Sequence, residues 1–137
     1  HVYGWEAEAA VQQSREAIAA AIHASAETIV FTSGATEANN LAIKGVAEAY
    51  FDQGRHIITL STEHNAVLDP CRYLQSLGFE VTVLPVQPDG LVDLALLERS
   101  IQPHTILVSV MAANNEIGTL QPLADIGQIC RRYQVLF

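Results

Sequence analysis

The chain has 137 residues, half of them hydrophobic, and a formal net charge of −8. That length suits about one domain with a buried core, and the composition is not that of a disordered segment. The negative balance, with Arg131-Arg132 as the one basic pair, argues against nucleic acid or an anionic membrane surface as the main partner, since both recruit clustered Lys and Arg.

The pattern alternates along the chain. Residues 5–22 are Ala-rich, with Val11, Ile18 and Ile22 on one helical face. Residues 28–32 are β-branched and aromatic and predict a strand. Residues 36–51 read as a helix stopped by Asp52-Gln53-Gly54, followed by a strand over His56–Leu60. Val67, Cys71 and Leu74 space as a helix that ends at Gly78. A strand over Glu80–Leu84 precedes a Pro88-Asp89-Gly90 turn. Asp93 is placed to cap a short helix with Leu94, Leu97 and Ile101 inward. Residues 105–110 form an apolar, fully buried strand. Leu123, Ile126, Cys130 and Tyr133 mark a final helix, and the last residues begin another strand.

Strands alternating with helices of this length predict an α/β fold with a mostly parallel sheet and helices on both faces. No repeat, linker or low-complexity segment interrupts it. A natural domain rarely stops inside a strand, so 1–137 reads as an incomplete piece of a larger domain. No stretch is long and apolar enough to span a bilayer, and the first residues carry no signal-peptide pattern. Cys71 and Cys130 make neither a CxxC nor a zinc spacing, which predicts two free thiols in a reducing, cytoplasmic compartment and no metal site.

Three polar clusters follow predicted strands, and in an open parallel sheet ligands sit outside the carboxyl ends of strands. The first is Ser33-Gly34-Ala35-Thr36-Glu37. Its small residues let a ligand approach the backbone, and the Ala35 and Thr36 amides open a helix, where an anion such as a phosphate is favoured. It is not a P-loop, because no Gly-Lys-Ser/Thr follows. Plain helix capping explains the same residues. The second cluster is Thr62-Glu63-His64-Asn65. His64 either faces a ligand ring and shuttles a proton, or caps the next helix. The third is Asn114-Asn115-Glu116. An Asn amide there either binds a ligand oxygen or closes its own turn. Anion cradle, imidazole and amide at three strand ends together suit a phosphorylated ring cofactor.

These motifs, with Gly4-Trp5, Asn40-Leu41-Ala42-Ile43-Lys44-Gly45, Thr105-Ile106-Leu107-Val108-Ser109 and the extension Ile117-Gly118, resemble the NifS/IscS-type cysteine desulfurases. These are pyridoxal 5′-phosphate (PLP) enzymes of the class V aminotransferase superfamily. The resemblance runs through the whole chain. It implies a partial PLP-binding large domain of fold type I and a homodimer. It implies conversion of L-cysteine to L-alanine, with sulfur leaving as an enzyme persulfide for an iron–sulfur scaffold or another sulfur acceptor. By position, Ala35 and Thr36 would bind the PLP phosphate. His64 would stack on the pyridine ring and serve as the catalytic acid/base. Asn115 would hydrogen-bond the phenolic oxygen. The family's Schiff-base lysine and sulfur-accepting cysteine lie beyond Phe137. Lys44 is the single lysine of the chain and falls mid-helix, so 1–137 alone is expected to be inactive. Two other readings stay open: a sister class V enzyme (selenocysteine lyase or aminotransferase), and a non-catalytic scaffold.

Overall fold

The structure is a computed structural model that describes residues 1–137. It divides into two compact units, His1–Ser33 and Gly34–Phe137. The first unit is built on helix α1 (Val2–Ala21), followed by a 3-10 turn over Ala26–Thr28. The Arg15 guanidinium donates to the Ile29 carbonyl and lies 4.9 Å from the Phe31 ring centroid. The strand expected over 28–32 does not form: the 3-10 turn takes its start, and the remainder pairs with no strand. β-branched residues favour extended backbone, but a strand needs a partner ladder. Of the apolar face expected on α1, Val11, Ile18 and Ile22 all stay exposed, while Ala19 is buried.

The second unit runs α2 (Ala35–Ala49), β1 (His56–Leu60), α3 (Asn65–Ser76), β2 (Glu80–Leu84), α4 (Leu94–Ser100), β3 (Thr105–Ser109) and α5 (Leu123–Arg132). All three strands are parallel, in the order β2-β1-β3. β1 is buried along its whole length, as a central parallel strand should be. β2 lies at an edge, and its burial is only partial. The strand expected at the end of the chain is present as a parallel bridge from Leu136 to Leu107, with the Val108 N–H donating to the Leu136 carbonyl at 2.8 Å.

Two cores flank the sheet, because successive side chains on a strand point to opposite faces. Ile57 and Leu107 pack with Ile43 and Ala47 of α2 and with Val67, Cys71 and Leu74 of α3. Ile58, Leu60 and Val108 pack with Leu97 of α4 and with Ile126 and Cys130 of α5. An irregularity between His56 and Ile57 shifts the β1–β3 pairing from Thr105 to Leu107 and keeps the two faces in step beyond it. The helices after β1 and β3 therefore join opposite cores. Adjacent strands whose connections diverge in this way open a crevice at their carboxyl ends.

The amino ends of the strands are closed instead. His56 is fully buried and bonds Thr105 Oγ1 through Nδ1 at 2.6 Å and Thr82 Oγ1 through Nε2 at 2.7 Å. Burial holds its pKa below the ordinary histidine value, with Glu80 opposing and His104 adding to the shift. Asp93 caps α4 as its position predicts, accepting from the Leu96 N–H at 3.0 Å. Gly54 passes so close to the preceding segment of β3 that an added Cβ would sit 2.1 Å from the His104 carbonyl oxygen.

Candidate functional site

The loop after β1 carries the second polar cluster. His64 is the N-cap of α3, and its Nδ1 accepts from the Ala66 N–H at 3.0 Å. With Nδ1 accepting, Nε2 is the ring's donor nitrogen. The helix-capping alternative for His64 is thus real, and it leaves the outer nitrogen available as a donor. Glu63 beside it is a buried carboxyl whose Oε1 accepts from the Met111 N–H at 2.7 Å. Burial raises its pKa above the ordinary carboxylate value, against the pull of that amide.

The loop after β3 is a small hairpin held by the Ala113–Leu120 bridge and the Asn114 N–H donating to the Thr119 carbonyl at 2.9 Å. Asn114 Oδ1 accepts from the amides of Glu116 at 2.9 Å and Ile117 at 3.0 Å. This is the turn-closing role weighed for the cluster, and it falls to Asn114. Asn115 stands exposed at the tip. The predicted turn before α4 buttresses this hairpin: Gln121 Nε2 donates to the Gly90 carbonyl at 2.8 Å, and Gln121 Oε1 accepts from the Val92 N–H at 3.0 Å. Gly90 has φ +82°, and a Cβ there would meet Thr119 Oγ1 at 2.7 Å, so the contact needs glycine twice over.

Helix α2 opens at Ala35 with Gly34 as its N-cap. Thr36, Asn40 and Lys44 follow at i, i+4 and i+8 and share one face of α2. Across from them stand His64, Asn65, Ala66, Asp69, Pro70 and Tyr73, and the two rows line an open cavity of about 400 Å³. That volume is within the range of small-ligand sites. Thr36 and His64, from different clusters, thus line one cavity. Ala35 sits one residue from its edge, and Asn115 is not among its lining residues.

Lys44 is closer to this place than its mid-helix position suggested. It lines the same cavity, with Nζ 4.5 Å from the Tyr73 ring centroid. The i+8 spacing from Thr36 was the signal for that. Neither cysteine is near in chemical terms: both are free, buried thiols pushed up to about 11 chiefly by burial. No helix is long and apolar enough to cross a membrane.

Comparison with known proteins bears on this arrangement. The chain is 58% identical over 137 residues to a mitochondrial cysteine desulfurase of Arabidopsis thaliana, covering all of this chain and 30% of that one. It is 59% identical over the same length to the cysteine desulfurase IscS of Glaesserella parasuis serovar 5, covering 34% of it. The chain therefore spans about a third of the length of these curated relatives. Among solved structures, DndA from Streptomyces lividans superposes with a TM-score of 0.94 at 40% identity, over 99% of this chain and 38% of that one. A structure of SspA in complex with cysteine superposes with a TM-score of 0.92 at 42% identity, over 98% and 39%. These likenesses bear out the parallel α/β architecture read from the sequence. The profile of the class-V aminotransferases matches residues 1–137, and the chain belongs to that family.

Proposed function

We propose that the protein carrying this chain is a PLP-dependent cysteine desulfurase, and that 1–137 forms part of its cofactor-binding large domain. The observation that carries this reading is the shared cavity of Thr36 and His64 at the start of α2 and α3. The high identity to desulfurases from several organisms supports the choice of reaction. The donor set suits the cofactor. The first-turn amides at Ala35 and Thr36, with the Thr36 hydroxyl, favour a phosphate at the positive end of α2. His64 offers a flat ring for stacking, and Asn115 an uncharged amide donor for the phenolic oxygen.

When bound, PLP supplies an electron sink for the bonds around the substrate α-carbon. The residues of this chain hold it and handle protons. His64 exchanges protons with the substrate through Nε2, the ring nitrogen that the Ala66 N–H leaves open. The substrate is L-cysteine and the product L-alanine. An enzyme thiolate attacks the substrate sulfur; an S–S bond forms on the enzyme as the C–S bond breaks, and the C–S electron pair leaves with the substrate β-carbon, which takes a proton to become the methyl group of alanine. Neither cysteine of this chain suits that attack, since both are buried and raised to about 11. Lys44 packs over Tyr73. We therefore assign the Schiff-base lysine and the sulfur-accepting cysteine to the other two thirds of the protein. An iron–sulfur scaffold or a thiolation partner takes the sulfur, and the working unit is a homodimer.

The test is product stoichiometry with the purified full-length protein. L-cysteine should yield alanine and, with a reductant present, sulfide in equal amounts. His64→Ala should lower kcat by about 10²-fold or more, as loss of a general acid–base group does. Absence of alanine from the native protein would refute the reading.

A further inference from the structure

The loops that carry His64 and Asn115 leave adjacent strands and diverge to opposite faces of the sheet, yet two hydrogen bonds tie them together. Asn114 Nδ2 donates to the Thr62 carbonyl at 2.9 Å. The Met111 N–H donates to Glu63 Oε1 at 2.7 Å. Each tie joins a residue beside one site residue to the loop of the other: Glu63 precedes His64, and Asn114 precedes Asn115. Both ties run the same way, from a donor on the loop after β3 to an acceptor on the loop after β1, one through the donor's side chain and the other through the acceptor's, so the two loops are joined at two points. Glu63 is buried, although an ionised or hydrogen-bonding carboxyl is costly to bury without a purpose-built partner. Asn114 spends its donor across the crevice and its acceptor within its own hairpin.

We propose that Glu63 and Asn114 are positioning residues that latch the His64 loop to the Asn115 loop across the crevice between β1 and β3, fixing the distance between the two groups that hold the cofactor ring. The proposal deepens the PLP reading and rests on it for the identity of the ring. The latch itself is a property of the cofactor-free fold. Because it sets the spacing of two groups on one rigid ring, its loss weakens cofactor binding and alters the environment of the bound ring together.

The variants follow from the atoms. Asn114→Asp keeps both acceptor bonds to Glu116 and Ile117 but loses the donor to Thr62. Glu63→Met keeps the side-chain length and loses the acceptor for Met111. Glu63→Gln restores an acceptor oxygen. In the full-length protein, Asn114→Asp and Glu63→Met should each weaken PLP binding by about tenfold, the size of effect that losing one hydrogen bond produces. Both should also move the pH midpoint of the bound cofactor's visible band, which a purely structural role would leave in place. Glu63→Gln should recover most of what Glu63→Met loses. In the cofactor-free protein, hydrogen–deuterium exchange of a peptide spanning 110–120 should be faster in both variants. Unchanged PLP affinity and band midpoint in a folded Asn114→Asp would overturn the proposal, and that variant serves if Glu63→Met fails to fold. If the native protein binds no PLP, the cofactor reading falls, while unchanged exchange in the variants would separately refute the latch.

Discussion

The two thiols provide a sharp test of which part of the protein handles sulfur. Cys71 and Cys130 are 2% and 1% exposed and sit in the cores on opposite faces of the sheet. Burial is the leading cause that raises both thiols from 9.0 to about 11. At pH 8 a thiol at 9.0 is about one-tenth ionised and one at 11 about one-thousandth, so the reactive thiolate is about a hundredfold scarcer before access is considered. In the native full-length protein, iodoacetamide followed by peptide mass spectrometry should leave both unmodified over times that label an exposed thiol completely. Denaturant should make both react. The double substitution Cys71→Ala with Cys130→Ala should cost about 1 kcal/mol per site, the scale of one buried methylene-sized group, and should leave alanine release intact. Rapid labelling of either thiol in the native state, or loss of alanine release from a folded double variant, would refute the assignment of sulfur transfer to another cysteine.

Two further outcomes concern the scaffold beneath the site. Gly54→Ala places a Cβ against the His104 carbonyl oxygen, a backbone atom that cannot rotate away; it should destabilise by about 1–3 kcal/mol or more, read as a lower midpoint in urea. His56 has its pKa lowered in the fold from 6.5, so its contribution is present above 6.5 and is lost as pH falls through that value toward the folded pKa. Melting temperature should therefore drop between pH 7.5 and 5 more steeply in the native protein than in His56→Gln. An identical slope in the two would remove His56 as the cause. Glu63 acts with the opposite sign: its pKa is raised, so its contribution is present below the ordinary value of 4.5 and lost as pH rises through the folded value.

Much of this architecture was legible in the sequence because the sheet is parallel and buried. Ile57, Ile58 and Leu60, or Ile106 to Val108, make short apolar runs that only a strand covered on both faces requires. Helix starts were legible where chemistry marks them, as at Asp93 and His64. The misreading over 28–32 has a tertiary origin, since local propensity cannot supply a neighbouring strand. The same limit hid the exposure of Val11, Ile18 and Ile22, whose spacing is helical whether or not the face is covered. Residue types singled out His64 and Asn115, of which His64 lines the cavity and Asn115 does not, and the ties between their loops join positions 63 with 111 and 62 with 114. Nothing local in either segment signals such a pair. Lys44 falls mid-helix in the sequence, and its i+8 spacing from Thr36 on one face of α2 is what brings it to the groove between α2 and α3.

The most direct test of the central claim is the visible absorption spectrum of the purified full-length protein, recorded before and after L-cysteine is added. A PLP band should be present in the native protein and should shift on adding cysteine, with alanine appearing as it does. Absence of any band, or a band that cysteine leaves unchanged while another amino acid moves it, would contradict the desulfurase reading.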